Sequence, residues 1–245
     1  YGKRSFDVIN WLNDHLKKRA GMHLRLVKGA YWDYEIKHAQ VSGYEGYPVF
    51  SKKSLTDIAY LACAKEILKN KNIFPKFATH NAHTISSIHH LGEGCEYEFQ
   101  RLYGMGELLY KSASEVFDLK DKPSVYSPIG DYKDLLPYLV RRLLENGANS
   151  SFINRLLDAE TDPKWLSENP YKRIKSETKD IPLPKNIYAS RSNSSGIDIT
   201  EKQNLEVLKE NLKVYETKIV NAVSLYEGRK DSKKTSEEVF SISSG

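Results

Sequence analysis

The chain has 245 residues, an apolar fraction of 40%, a charged fraction of 28% and a net charge of +5, which are ordinary values for a globular protein and exclude a disordered or fibrous one. Its basic residues are spread out and form no block interleaved with aromatics, so a nucleic-acid surface is not indicated. Two cysteines make no disulfide framework and fit a reducing compartment. No stretch is long and apolar enough to span a membrane, and the N-terminus lacks a signal-peptide pattern.

Helical and strand-like hydrophobic patterns alternate along the first part of the chain. The patterns predict helices over residues 5–20, 54–69, 82–92 and 107–117, and strands over residues 22–30, 73–79, 96–102 and 124–127. Polar, aromatic or glycine residues follow each strand, as in a parallel α/β domain with its function at the carboxyl ends of the strands. A complete (β/α)8 barrel has eight strands. The sequence therefore predicts half of a parallel (β/α)8 TIM-type barrel, about four β/α units, beginning on a helix.

The first predicted strand contains two cations, Arg25 and Lys28, where a buried parallel strand is usually apolar throughout. Cations in such a strand need anionic partners or a position at its exposed end. Gly29 follows and would allow a ligand to approach the backbone closely.

An arginine pair distinguishes the last helix of the series, predicted from Leu135 to a stop near Gly147. Tyr138, Arg141, Arg142 and Glu145 are three or four residues apart, which places them on neighbouring parts of one helix surface. One interpretation pairs an arginine with Glu145 and leaves the other in solvent. The other is an anion clamp, because two guanidinium forks match a carboxylate or phosphate. Arginine before glutamate is the weaker order for a surface pair, which favours the clamp.

A histidine-rich stretch offers a different hypothesis, a metal-dependent barrel hydrolase. Histidine and cysteine are zinc ligands, and five of them fall close together: His80, His83, His89, His90 and Cys95. Their spacing matches no compact structural zinc pattern, so no metal ligand is predicted.

The composition changes after residue 157. Residues 158–199 are polar and proline-rich, which is typical of a linker. A helix is predicted from Thr200, with Thr200 as its cap, Gln203 completing a capping box and an apolar stripe continuing to Val223. The predicted division is a barrel half at 1–157, a linker at 158–199 and a helical segment at 200–245, which the resemblance given below makes the start of a segment leading to a further domain.

Several motifs together carry a specific resemblance. They are RLVKGAYW at 25–32, YPV at 47–49, FATHN at 77–81, YEFQ at 97–100, GMGE at 104–107, YSPIG at 126–130 and YLVRRLLENGAN at 138–149. This series resembles the FAD-dependent proline dehydrogenase domain, in particular that of the bifunctional bacterial enzymes called proline utilization A. The IPLP stretch at 181–184 and the helix beyond it resemble the linker towards the aldehyde dehydrogenase domain of those enzymes.

The resemblance implies roles for individual residues. Arg141 and Arg142 would grip the carboxylate of proline, and Glu145 would fix the arginines. Arg25 would lie near flavin N5, where a cation favours the reduced flavin. The proline ring would be walled by Tyr126, Tyr138 and Leu102. The FAD would be lined by Lys28, Gly29, Ala30, Thr79, His80 and Gln100, with Trp32 on its adenine and Ser51 and Lys53 near its pyrophosphate or ribose.

The implied reaction is oxidation of L-proline to 1-pyrroline-5-carboxylate, with a hydride passing from proline C5 to flavin N5 and the electrons then passing to membrane quinone. The enzyme would be cytoplasmic, and peripheral at the inner membrane when reduced. NAD would belong to the aldehyde dehydrogenase domain, and any DNA binding to other domains of the parent protein.

The four strands of the first barrel half are expected to be missing from this chain. Alone, it should therefore bind FAD poorly, be nearly inactive, and need that half or a second copy of itself, because a half-barrel exposes sheet edges and an apolar interior. A non-catalytic module that binds carboxylates or acts in assembly is the alternative.

Overall fold

The computed structural model describes residues 2–16, 21–29, 31–119, 122–147, 164, 168–174, 181–215, 225–226 and 229–230. The chain divides into two compact units, Tyr1–Ile197 and Asp198–Gly245. None of the described helices is long and apolar enough to cross a membrane.

A four-stranded parallel sheet organises the first unit. Its strands follow one another in chain order: β1 Met22–Leu26, β2 Ile73–Ala78, β3 Glu98–Leu102 and β4 Ser124–Tyr126. The described helices of this unit are α1 Ser5–His15, α2 Trp32–Ser42, α3 Lys53–Leu68, α4 Ala82–Leu91, α5 Glu107–Phe117, α6 Tyr132–Gly147 and the short α7 Pro170–Arg173. The predicted parallel α/β architecture is confirmed.

Two elements differ most from the sequence prediction. The first strand ends at Leu26 rather than at residue 30, because the backbone turns away at Gly29, whose φ is +99°. The helix α2 was not predicted. Only Ile36 and Ala39 are buried along it, so it lacks the broad apolar stripe that indicates a helix in sequence.

The two faces of the sheet carry different side chains. Strand alternation and register place Leu26, Phe77 and Phe99 side by side on one face. These three residues belong to the main core, together with buried residues of α1, α3, α4 and α5. The helices therefore cover this face of the sheet, and we call it the covered face.

The opposite face, which we call the inner face, carries mainly polar and functional side chains. The same register places His23 and Arg25 of β1, Phe74, Lys76 and Ala78 of β2, Glu98, Gln100 and Leu102 of β3, and Ser124 and Tyr126 of β4 on this face. A barrel encloses this side of its sheet, so the inner face corresponds to the barrel interior.

The second unit contains α8 Lys202–Lys213 and a two-stranded antiparallel ladder, β5 Leu225–Tyr226 with β6 Arg229–Lys230. The predicted cap at Thr200 is wrong, because Glu201 occupies the N-cap position. The Thr200 hydroxyl instead donates to Asp198 Oδ1 at 2.6 Å. Val223, at the end of the predicted stripe, lies outside the described residues.

Candidate active site

Four of the predicted site residues share the inner face of the sheet: Arg25, Gln100, Leu102 and Tyr126. The guanidinium of Arg25 lies over the ring of Tyr126, with Cζ 4.8 Å from the ring centroid. This cation–π contact spans the sheet from β1 to β4. It places a positive charge beside an aromatic wall at the carboxyl end of the sheet.

Gln100 presents an unsatisfied hydrogen-bond acceptor. Its side chain is only 6% exposed, and its Nε2 donates to Glu98 Oε1 at 2.7 Å. Glu98 also forms an ion pair with Lys76 at 3.3 Å. Gln100 Oε1 is buried and has no hydrogen-bond partner among the described residues. A buried carbonyl without a partner is costly, so this oxygen is suited to accept a hydrogen bond from a ligand.

The helix α6 directs its arginines towards the strand ends. Arg141 Cζ lies 4.9 Å from the centroid of Tyr31, the residue that precedes α2. Arg142 Cζ lies 5.2 Å from the ring of Tyr138, as their spacing predicts. Both arginines are half-buried, and Arg141 Nε is buried without a hydrogen-bond partner. Two neighbouring cations thus lie at the carboxyl end of the sheet.

The leucines of α6 lie on the exposed side of the helix, although a stripe of this kind is normally packed. Leu139, Leu143 and Leu144 are 55%, 72% and 62% exposed. Within the part of the chain that the structure describes, nothing covers them. In this unit, α6 therefore buries its polar side more than its apolar side.

His80 follows β2 and is held in one tautomer. Its Nε2 accepts a hydrogen bond from the backbone N–H of Leu102 at 3.1 Å, so the proton of the neutral ring lies on Nδ1. Burial, and then the positive charges of Arg142 and Arg101, lower the pKa of His80 to about 4. The imidazole is therefore neutral near pH 7 and has one N–H to donate.

Lys28 lies at the exit of β1 and is bound by two helices. Its Nζ donates to Asp57 Oδ1 of α3 at 2.6 Å and to Thr84 Oγ1 of α4 at 2.7 Å. Burial lowers the pKa of Lys28, and the carboxylate of Asp57 opposes that shift. Asn81 caps α4 by accepting from Thr84 N at 3.0 Å. The cation interrupting the first strand pattern thus has the anionic partner that its position requires.

Trp32, Ser51 and Lys53 lie around the loop between α2 and α3. The indole Nε1 of Trp32 donates to the Phe50 carbonyl at 2.8 Å. Ser51 follows directly, and Lys53 is the first residue of α3. The hydrogen bond connects the start of α2 to the segment that leads into α3.

The remaining predicted residues are Thr79, Ala30, Glu145 and those of the histidine-rich stretch. Thr79 is buried, and its carbonyl accepts from Tyr110 Oη at 2.9 Å. Ala30 and the side chain of Glu145 lie outside the described residues, which leaves pairing of an arginine with Glu145 a prediction. Among the residues that the structure describes, no group of three or more His, Cys, Asp or Glu side chains could hold a metal ion.

Two residues acquire importance only from the structure. Tyr31 stacks on Arg141, and its place after a strand was a weak signal. Asp57 is buried, and the signal for it was a carboxylate among the apolar residues of α3. Neither partner could be identified from sequence, because each contact joins residues far apart in the chain.

The sequence profile of the proline dehydrogenase family matches residues 1–155. The chain belongs to the proline dehydrogenase family. This confirms the resemblance inferred from the motifs, and the relatives confirm its bifunctional bacterial branch. The bifunctional protein PutA of Salmonella typhimurium is 46% identical over 228 residues, which are 85% of this chain and 17% of that protein. PutA of Rhizobium meliloti is 39% identical, over 87% of this chain and 18% of that protein.

The solved structures agree with the fold. A structure of proline utilization A with proline bound in remote sites has a TM-score of 0.80 and 42% identity, over 91% of this chain and 23% of that one. Proline utilization A from Bdellovibrio bacteriovorus, inactivated by N-propargylglycine, has a TM-score of 0.72 and 29% identity, over 95% of this chain and 24% of that one. The chain thus spans less than a quarter of these proteins, and its sheet is consistent with part of a TIM-type barrel.

Proposed function

We propose that this chain supplies the C-terminal half of a proline dehydrogenase barrel, which oxidises L-proline to 1-pyrroline-5-carboxylate with FAD during catabolism of proline to glutamate. The observation that carries the proposal is the pair of half-buried guanidinium groups on α6, directed to the carboxyl ends of the strands. In parallel α/β folds this is the end at which ligands bind.

Arg141 and Arg142 suit the carboxylate of an amino acid. Each charge-assisted hydrogen bond contributes about 1.5–3 kcal/mol. The ring of Tyr31 lies against the guanidinium of Arg141, and the ring of Tyr138 lies against that of Arg142, which limits the positions of both guanidinium groups. Gripping the carboxylate at two points fixes the ring of proline. Tyr126 and Leu102 on the inner face then supply its apolar walls.

The inner face also fits a flavin. The orphaned acceptor Gln100 Oε1 would receive an N–H of the isoalloxazine ring, and neutral His80 would donate from Nδ1. Lys28, Gly29 and Thr79 lie at the same strand ends, and we propose that Ala30 lines the FAD with them. FAD, when bound, accepts the hydride equivalent removed from proline C5. Arg25 supplies positive charge on this face, which favours the gain of negative charge during the reaction.

Trp32, Ser51 and Lys53 would hold the adenosine and pyrophosphate half of FAD. A flat indole provides a stacking surface for adenine, and the ammonium of Lys53 provides charge for phosphate. Ser51 and Lys53 closely follow Phe50, whose carbonyl accepts a hydrogen bond from the Trp32 indole.

The remaining parts of the enzyme are proposed to come from outside these residues, since the chain spans 17–18% of its bacterial relatives. They comprise the N-terminal barrel half and an NAD-dependent aldehyde dehydrogenase domain. Electrons would pass to membrane quinone, with a cytoplasmic enzyme peripheral at the inner membrane when reduced. In isolation the chain is expected to bind FAD weakly and to be nearly inactive.

The test is a flavin titration of the polypeptide that contains this chain together with the rest of the barrel. Flavin fluorescence should be quenched saturably, and tetrahydrofuroate, a cyclic carboxylate like proline, should change the spectrum of the bound flavin. The variant R142A should weaken tetrahydrofuroate binding about a hundredfold or more, because it leaves the ligand carboxylate without one fork. The variant K133A, which removes an exposed cation from the same helix, should leave it unchanged.

The outcomes separate the hypotheses. Absence of flavin binding in the folded polypeptide would refute the proposal. Tetrahydrofuroate binding that depends on Arg142 but never requires flavin would instead favour the non-catalytic carboxylate-binding module.

A further inference from the structure

Residues 181–197, within the predicted linker, are docked on α2 and the loop that follows it. Tyr47 Oη donates to the carbonyl of Pro182 at 2.6 Å, and Asn193 Nδ2 donates to the carbonyl of Gln40 at 3.3 Å. Pro184 is fully buried. We call these residues the docked segment. Its contacts reach both the C-terminal end of α2 and the loop beyond it.

Two glycines allow the backbones to approach. Gly196 N donates to the carbonyl of Gly43 at 2.8 Å. Gly43 ends α2 with φ +65°, and a Cβ there would overlap the carbonyl oxygen of Ser194. A Cβ on Gly196 would overlap the carbonyl oxygen of Ser42. Because the obstructing atoms are backbone, even an alanine at either glycine would push the docked segment away from α2.

The other end of α2 carries Trp32, and one apolar cluster connects it to the docked segment. The cluster has four buried residues, Ile36, Ala39, Tyr47 and Val49. Both Trp32 and Ile181 pack against it from partly buried positions. Tyr47 connects the apolar cluster directly to the docked segment, because its ring lies in the cluster and its hydroxyl donates to the carbonyl of Pro182.

We propose that the docked segment is a positioning element for the adenosine half of the cofactor. It holds the C-terminal end of α2 through Gly196 and the apolar cluster through Ile181 and Pro182, and this fixes the indole of Trp32. The inference rests on the proposed function, in which Trp32 stacks on adenine. It adds that residues after the barrel, and not the barrel alone, set the preference for FAD over FMN.

A comparison of FAD and FMN binding distinguishes positioning of Trp32 from a general effect of the docked segment on the stability of the barrel. FMN has the same isoalloxazine ring and ribityl phosphate as FAD but lacks the adenosine half. A change that merely loosened the barrel would weaken both ligands. A change that displaced Trp32 would weaken FAD alone.

The experiment measures dissociation constants of FAD and FMN for the apo form of the polypeptide that contains this chain and the complete barrel. In G196A, FAD binding should weaken about tenfold or more and FMN binding should change less than about twofold, since only the adenosine contacts lose their support. The control is G46A, because a Cβ at Gly46 has no neighbouring atom within 4 Å. Both flavins should bind G46A as they bind the unaltered protein.

A gentler variant covers the case in which G196A does not fold. Y47F removes the hydrogen bond that the Tyr47 hydroxyl donates to the Pro182 carbonyl and the one that it accepts from Gln40 Nε2, and it keeps the ring in the cluster. It should weaken FAD binding about threefold to tenfold, as expected for loss of the one hydrogen bond that joins Tyr47 to the docked segment, with FMN binding unchanged. Equal losses for FAD and FMN, or no loss of FAD binding in folded variants, would overturn the inference and leave the proposed function standing. If the unaltered protein bound neither flavin, the proposed function would fall first and this inference with it.

Discussion

The two faces of the sheet carry different kinds of side chain, although the same four strands form both faces. The covered face packs Leu26, Phe77 and Phe99 against helices of the same unit, so its stability comes from within the chain. The inner face carries Arg25, Gln100 and Tyr126, including a buried carbonyl without a partner. Under the proposed function these side chains bind a ligand, so they are not fully hydrogen-bonded within the chain, and most of the stabilisation of the sheet comes from the covered face.

The exposed leucines of α6 extend this contrast. Ile129 before the helix is 98% exposed, and Leu143 within it 72%. An apolar surface of this kind is expected to bury itself in a partner, which under the proposed function is the other half of the barrel. The helix that carries the arginines of the proposed substrate site thus also carries an exposed apolar side that the rest of the enzyme would cover.

The largest stability difference between the faces is expected on β2. Phe77 is fully buried on the covered face and Phe74 is half-buried on the inner face of the same strand. F77A should lower the free energy of unfolding by about 3–5 kcal/mol, because it leaves a cavity in the core. F74A should cost clearly less. Urea unfolding of the two variants measures both, and equal losses would contradict the division of the sheet into structural and functional faces.

The contrast between the faces was partly readable from sequence. The alternation of helices and strands, the parallel order and the arginines at helical spacing all follow from short-range patterns, and the structure agrees with each. Helix α2 was missed because only two of its residues are buried. Its close fit to the docked segment depends on Gly43 and Gly196, which are too far apart in sequence to be matched from local pattern.

The same limit applies to individual site residues. The sequence indicated that Lys28 needed an anionic partner, but 29 residues separate it from Asp57. The partner is defined by the packing of α3 on the sheet, which no spacing rule describes. Individual roles at the site thus depend on which elements the fold brings together.

The next largest effect concerns the ion pair between Lys28 and Asp57, a residue of helix α3. D57A removes the carboxylate and leaves the half-buried Lys28 with Thr84 as its hydrogen-bond partner. We expect a loss of about 2 kcal/mol in the free energy of unfolding, because the partly buried charge of Lys28 loses its counter-charge. The double variant D57L/K28M replaces the pair with apolar side chains of similar size and should recover most of that loss. Chemical denaturation of the unaltered protein, D57A and D57L/K28M measures the free energy of unfolding of each. A double variant as unstable as D57A would contradict the explanation.

The smallest expected effect is a pH dependence from His80. Its pKa is about 4 in the folded chain, through burial and the charges of Arg142 and Arg101, and near 6.5 when unfolded. As the pH falls from 6.5 to 4, the unfolded chain takes up a proton that the folded chain does not, so stability falls across this window and is retained above it.

The variant H80Q keeps an acceptor for Leu102 N–H without titrating and should reduce the slope of stability against pH. R142Q should raise the pKa of His80 and narrow the window, whereas R142K, which keeps the charge, should preserve it. Urea unfolding between pH 4.5 and 7 measures the slopes, and identical slopes in the unaltered protein and H80Q would show that the ring is not held neutral by its surroundings.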